Sequence, residues 1–242
     1  MTIKPLKKLG QHFLIDKQVV KKLISTANIK KQDTILEIGP GKGILTEELN
    51  KKARVIAIEK DTRLAELLKD KFNVLNQDIL KYTPDFKNYK IVSNLPFYIA
   101  APVIRKFLEI NNPPREMVLI VQKEVAQRIC AKPPDMSILA VSVQIYAKTE
   151  IISYIGKESF SPKPKVDCAI IKITPYNKKI KDHFFKVVKV GFSHPRKKLI
   201  NNLSSIAKKQ NLLKIFDKLK LDTNIRAERL NLDDWIALSK MV

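Results

Sequence analysis

Residues 34–50 read TILEIGPGKGILTEELN, an apolar run, a glycine-rich loop and a helical pattern in succession. TILEIG is a short apolar run of strand type, glycines at 39, 41 and 43 interrupt it, and ILTEELN continues with helical spacing. Strand, glycine loop and helix in that order open a βαβ unit. Glycines in such a loop let the backbone approach a ligand where a Cβ would clash. Twenty residues beyond Gly39, Glu59 ends a second apolar run, RVIAIE (54–59). A carboxylate at that strand end can accept both hydroxyls of a ribose. The dinucleotide fingerprint G-x-G-x-x-G would need glycine at position 44, where Ile44 stands. The spacing is G-x-G-x-G led by Glu37, which points away from NAD and toward S-adenosyl-L-methionine. That cofactor has a positive sulfonium and no pyrophosphate to cradle. Glu37 offers a negative charge there, although a carboxylate at this place could equally serve loop amides.

Outward from this unit the alternation continues. NVLNQD (73–78), KIVSNL (90–95) and MVLIVQ (117–122) read as further strands, with helix-period segments such as TRLAELLKDK between them. A helix is expected around Ser137–Tyr146, then two more strand-like runs, TEIISYI and VDCAIIKI. The expected class is α/β, a Rossmann-like, mostly parallel sheet with a small all-helical C-terminal domain. Glu37, Glu59, Asp78 and Asn94 then close four successive strands, at the carboxyl edge where open sheets bind ligands. Asp78 can accept the exocyclic amine of the cofactor's adenine, or merely cap the turn at Ile79–Lys81.

The fourth strand end continues as SNLPFYIA (93–100), a polar amide, a proline and two aromatics after an apolar run. The segment resembles the N-[L/P]-P-[F/Y] motif of methyltransferases that modify exocyclic amines of bases, and the resemblance implies that an Asn94 carbonyl and the Leu95 or Pro96 backbone carbonyl accept the two N–H groups of a base amine. Such bonds favour a pyramidal nitrogen with its lone pair aimed at a sulfonium methyl. Phe97 offers a face on which an extruded base can stack. No strong general base is needed, because the nitrogen becomes acidic once alkylated. His12, His183 and His194 form no triad or metal set, so no metal is expected.

The chain has 242 residues, 45% of them hydrophobic and 29% charged, which suits a folded globule and excludes a disordered tail. No apolar run reaches the roughly 20 residues of a membrane span. The start, MTIKPLKKLGQHFLID, has no apolar stretch suited to a secretory signal, so a cytoplasmic protein is expected. Cys130 and Cys168 stand apart, without the spacing of a zinc site or disulfide framework. Forty-six basic against 24 acidic residues give a net charge of +22, a field that attracts a polyanion. Of the basic residues 38 are Lys, many of which need do no more than solvate the surface.

Past Pro175 the texture becomes helical, and residues 177–242 hold 16 Lys/Arg against 6 Asp/Glu, a net +10. Leu199, Leu203 and Ile206 share one helical face, as do Leu212, Ile215, Phe216 and Leu219. Asn231 reads as a cap before Trp235 and Leu238. The expected domains are therefore 1–175, which binds the cofactor, and 176–242, a basic helical domain that docks RNA through residues such as Arg196, Lys197 and Lys198.

Nine segments now stand in order: LGQHFLID (9–16), EIGPGKGILTEEL (37–49), Glu59, QDIL (77–80), SNLPFYIA, VQKEVAQRI (121–129), FSPKPKVDCAIIKI (160–173), GFSHPRKKLINNL (191–203) and RAERLNLDDW (226–235). Over essentially the whole chain they resemble the ribosomal RNA adenine N6,N6-dimethyltransferase family, most closely its bacterial small-subunit type. The resemblance implies that His12 and Leu14 touch the cofactor, Gly39 and Gly41 form its loop, Glu59 holds the ribose, Asp78 the adenine amine, and Asn94 the reacting end. It implies that Phe160 supplies a second aromatic face for the flipped adenine; the ring could equally be an ordinary core residue. Two positions depart from the family pattern: His12 where Asn is common, and Phe97 where Tyr is usual.

The implied reaction is dimethylation of two adjacent adenosines near the 3′ end of small-subunit RNA during ribosome biogenesis, by a monomer acting on a pre-30S particle. Two alternatives stay open. One is the relative that dimethylates large-subunit RNA and confers macrolide resistance. The other is a catalytically silent RNA-binding assembly factor, against which the intact Glu37, Glu59, Asp78 and Asn94 argue.

Overall fold

The computed structural model describes residues 3–6, 10–176 and 178–242, so Leu9, the first residue of the LGQHFLID segment, lies outside the described residues. The elements in chain order are β1 (Phe13–Leu14), α1 (Lys17–Thr26), β2 (Thr34–Ile38), α2 (Ile44–Asn50), β3 (Arg54–Glu59), α3 (Thr62–Leu68), β4 (Val74–Asn76), β5 (Tyr89–Asn94), α4 (Ala100–Glu109), β6 (Glu116–Gln122), α5 (Lys123–Ile129) and α6 (Ile138–Gln144). They continue with β7 (Ala147–Ile155), β8 (Phe160–Ser161), β9 (Cys168–Pro175), α7 (Asp182–Gly191), α8 (Leu199–Leu203), α9 (Lys209–Lys218) and α10 (Leu232–Met241).

Seven strands form one sheet in the order β4-β3-β2-β5-β6-β9-β7. β2 pairs in parallel with β3 on one side and β5 on the other, so the order reverses between β2 and β5. β9 runs antiparallel to β6. The apolar runs are continuous because both faces are covered: Ile35, Leu36, Ile91, Val92 and Val118 are all fully buried. NVLNQD forms a shorter strand than expected: it ends at Asn76, the Gln77 N–H still donates to the Glu59 carbonyl at 3.1 Å, and the chain then turns at Asp78. The chain is thus a Rossmann-like α/β fold.

A second, two-stranded sheet pairs β1 with β8, Phe13 opposite Ser161 and Leu14 opposite Phe160. The Ile15 N–H extends it to the Ser159 carbonyl at 2.9 Å. Asp16 caps α1 from its own side chain and accepts the Ser159 hydroxyl at 3.0 Å. Residues 13–16 are thereby fixed to residues 159–161 across the sequence.

The chain divides into two compact units, residues 1–126 with 148–177, and residues 127–147 with 178–242. The expected boundary therefore needs one correction: residues 127–147, which sequence reading assigned to the first domain, group with the helical unit. The cause is bonding between segments distant in the chain. The Met136 N–H donates to the Glu228 carbonyl at 3.0 Å, and Tyr146 stacks on Phe185 at 5.8 Å. Within this unit Trp235 is fully buried and stacks on Phe192 at 5.3 Å. Asn231 and Asp234 form a reciprocal capping box on α10, both bonds 2.9 Å. Leu212, Ile215 and Phe216 make the buried face of α9 as expected, whereas α8 ends at Leu203 and leaves Ile206 in the following turn.

Candidate cofactor and substrate cleft

The carboxyl ends of β2, β3, β4 and β5 open onto a cleft of about 1030 Å³, counting the solvent at its mouth. Its floor is the loop after β2, where Gly39, Gly41 and Gly43 all have positive φ. At Gly41 the requirement is also spatial: a Cβ would stand 2.9 Å from the Phe13 ring of β1. The bare glycine lets the N-terminal strand close over the loop. His12, Leu14, Glu37, Gly39, Gly41, Glu59, Asp78 and Asn94 all line this cleft, together with Leu95, Pro96 and Phe97.

Glu59 is buried. Its Oε1 accepts the Asp61 N–H at 2.8 Å and its Oε2 the Gly41 N–H at 3.3 Å. Burial raises its pKa, and the nearby Asp61 charge adds to the shift against those backbone donors. Sequence reading missed the support behind it. Asp61 accepts from Arg63 at 2.6 Å and from Gln11 at 2.9 Å, and its carboxyl is held down at about 2, chiefly by Arg63. The D-x-R spacing at the start of α3 was the available signal.

Glu37 is almost wholly enclosed, and its Oε2 has no hydrogen-bond partner. Burial pushes its pKa up to about 8; the Thr46 hydroxyl opposes the shift and the Glu59 charge adds to it. Asp78 accepts the Leu80 N–H at 3.0 Å and the Lys60 ammonium at 2.8 Å, and the Lys60 bond lowers its pKa. Asp78 therefore caps its turn and faces the cleft at once. Lys106 on α4 was not foreseen. Its ammonium donates to the carbonyls of Ile79, Leu80 and Tyr82 at 3.0, 2.8 and 2.6 Å, tying down the turn that carries Asp78.

At the far end of the cleft Asn94 donates from Nδ2 to the His12 carbonyl at 3.2 Å. A carbonyl can only accept, so this bond assigns the amide orientation. It leaves Oδ1 buried and without a partner. Phe97 is half-buried, packs against the hydrophobic core and stacks on the His12 ring at 5.2 Å. Phe160 does not line the cleft. Its ring is buried in the core cluster with Leu14, Val20 and Ile170, because the β1–β8 pairing turns it inward.

The orphaned Glu37 and Asn94 oxygens, the buried Glu59 carboxylate and a glycine floor fit S-adenosylmethionine, whose sulfonium, ribose and ammonium need acceptors. Among the described residues no group of three or more His, Cys, Asp or Glu could hold a metal ion. No helix is long and apolar enough to cross a membrane among those residues.

A family model described as ribosomal RNA adenine dimethylase matches residues 4–242. The chain belongs to the ribosomal RNA adenine dimethylase family. It is an enzyme of that class, and its relatives agree over nearly their full length. A protein of Dehalococcoides mccartyi named ribosomal RNA small subunit methyltransferase A is 40% identical, covering 97% of this chain and 87% of the relative. One of the same name from Mycoplasmopsis pulmonis is 39% identical over 96% of both chains. Among solved structures, a dimethyladenosine transferase from Plasmodium falciparum superposes with a TM-score of 0.83 and 27% identity, covering 94% of this dimethylase and 96% of that chain. The 23S rRNA methyltransferase ErmE shares the fold, with a TM-score of 0.78 and 23% identity over 95% of this chain and 98% of that one.

The basic residues Arg196, Lys197 and Lys198 lie in the helical unit of the dimethylase and are exposed. The turn they occupy is held from below: buried Asn202 donates to the Gly191 and His194 carbonyls at 2.6 and 3.2 Å. Lys198 also donates to the Asn224 side chain at 2.5 Å.

Proposed function

We propose that the protein transfers methyl groups from S-adenosyl-L-methionine to N6 of two adjacent adenosines near the 3′ end of small-subunit ribosomal RNA. The observation that carries this reading is the Asn94 amide. With one Nδ2 hydrogen engaged by the His12 carbonyl, the Asn94 Oδ1 is left as a buried acceptor without a partner, a standing cost unless an N–H donor arrives. An adenine amine is such a donor. The Pro96 carbonyl already accepts the Ile99 N–H at 3.1 Å, which favours the Leu95 carbonyl as the second acceptor. S-adenosylmethionine, when bound, supplies an electrophilic methyl on a sulfonium. As N–C bonding replaces the S–C bond, the N6 proton becomes acidic and passes to solvent, so no side-chain base is needed.

The remaining residues bind and orient. Gly39 and Gly41 form the loop, Glu59 takes the ribose hydroxyls, Asp78 the cofactor's adenine amine, and Phe97 one face of the target base. Glu37 places negative charge near the sulfonium. Arg196, Lys197 and Lys198 grip phosphates, and the helical unit docks the RNA. The small-subunit assignment is favoured by relatives at about 40% identity that carry that name. Four intact polar strand ends in one cleft speak against a silent factor. The partner is an assembling small subunit in the cytoplasm, and the enzyme works as a monomer.

The test offers labelled S-adenosylmethionine with unmethylated small subunits, large subunits or protein-free large-subunit RNA, and maps the modified nucleosides. The expected product is N6,N6-dimethyladenosine at two neighbouring small-subunit positions. Label confined to large-subunit RNA, or no label at all, would overturn the proposal.

A further inference from the structure

His12 makes three contacts that bring separate parts of the chain together at the reacting end. Its carbonyl accepts the Asn94 Nδ2–H at 3.2 Å, its ring stacks on Phe97 at 5.2 Å with an interplanar angle of 21°, and its Nδ1 lies 2.6 Å from the Pro162 carbonyl. The Pro162 carbonyl can only accept, so Nδ1 carries the proton. His12 immediately precedes β1 and Pro162 immediately follows β8, so this side-chain bond continues the β1–β8 pairing by one step. The backbone of residue 12 is therefore held on both sides, by the strand after it and by its own ring. Its carbonyl in turn decides which way the Asn94 amide faces.

We infer that His12 is a positioning residue: its imidazole, latched to Pro162 and stacked on Phe97, sets the orientation of both the Asn94 acceptor and the Phe97 face for the target base. The inference rests on the adenine-methylation reading above. Two functions reside in one ring. A phenylalanine at position 12 keeps the stack and loses the latch, whereas glutamine keeps a donor and loses the stack. Alanine loses both. The position matters most for the second methyl transfer. N6-methyladenine has one N–H left, so a single acceptor must hold it with the lone pair still aimed.

The experiment has two arms. In the first, wild type, His12→Phe, His12→Gln and His12→Ala react at saturating S-adenosylmethionine and small subunits, and the ratio of mono- to dimethyladenosine released is measured. Compared at equal, low extents of methylation, that ratio does not depend on how much of a variant is folded. His12→Ala is expected to raise it at least roughly fivefold, with His12→Phe and His12→Gln between it and wild type. A ratio equal to wild type in His12→Ala would overturn the positioning role, although the dimethylase reading would stand. In the second arm, nitrogen NMR of the unliganded wild type, with His12 assigned by comparison with His12→Phe, reads the neutral ring's tautomer. A proton on Nδ1 is expected. A neutral ring protonated on Nε2 would overturn the latch whether or not the protein methylates RNA.

Discussion

Glu37 is a buried carboxylate with one oxygen unpartnered, in a cleft proposed to receive a sulfonium. Its raised pKa of about 8 means that the folded protein favours the protonated form, so this group's contribution to stability is complete below the ordinary carboxylate value and is lost as pH rises through about 8. A cationic ligand reverses the preference and expels the proton. Affinity for S-adenosylmethionine is therefore expected to rise from about pH 6 to about pH 8, by up to about tenfold per unit. S-adenosylhomocysteine, which lacks the sulfonium charge, should show a much flatter profile, as should Glu37→Gln with either ligand. Calorimetry that finds equal slopes for both ligands in wild type would refute the charge role. For Glu59 the proposed role is hydrogen bonding to the ribose. Glu59→Ala removes the ribose acceptor and orphans the Gly41 and Asp61 N–H groups, so cofactor binding should weaken by roughly 2 kcal/mol or more. Unchanged affinity in a folded variant would remove Glu59 from the cofactor site.

Packing between helices and strands sets predictions of another kind. Gly41→Ala places a methyl against Phe13 on a backbone at φ 60°, so the loop and β1 cannot both keep their places. A loss of about 1–3 kcal/mol in stability is expected from this strain, with cofactor affinity falling as well. Gly191 ends α7, where an added Cβ would fall on the Trp235 ring of α10. Gly191→Ala should lower the stability of the helical unit by about 1–3 kcal/mol through overpacking. Trp235 is the chain's one tryptophan, so denaturation followed by its fluorescence reports on this packing directly. A midpoint equal to wild type would show that α7 and α10 can separate without cost.

Over the whole molecule the excess of positive charge, +22, is expected to govern association with RNA. Reversing Arg196, Lys197 and Lys198 to Glu should weaken binding to small subunits and reduce the salt slope, by about one unit or somewhat less for each phosphate that is no longer neutralised. S-adenosylmethionine affinity should not change. An unchanged slope would return this exposed cluster to simple solvation of the surface.

From sequence alone the sheet class, five parallel strands, the glycine loop and the four polar strand ends could be read, because each follows from local chemistry: apolar period, φ-permissive glycine, and a carboxylate or amide where a strand stops. The Asn231 cap was equally visible, since a capping box needs only residues three apart. Pairings between distant residues were decided by tertiary structure. Nothing in FSPKP says that Phe160 turns into the core, because that follows from β1 pairing with β8 some 150 residues away in the chain, as the His12–Pro162 bond also shows. Residues 127–147 joined the helical unit through Tyr146 and Met136, whose partners have no periodic signature. The pKa of Glu37 and the orientation of Asn94 arise the same way: both depend on which groups the fold brings near and on how completely it excludes water.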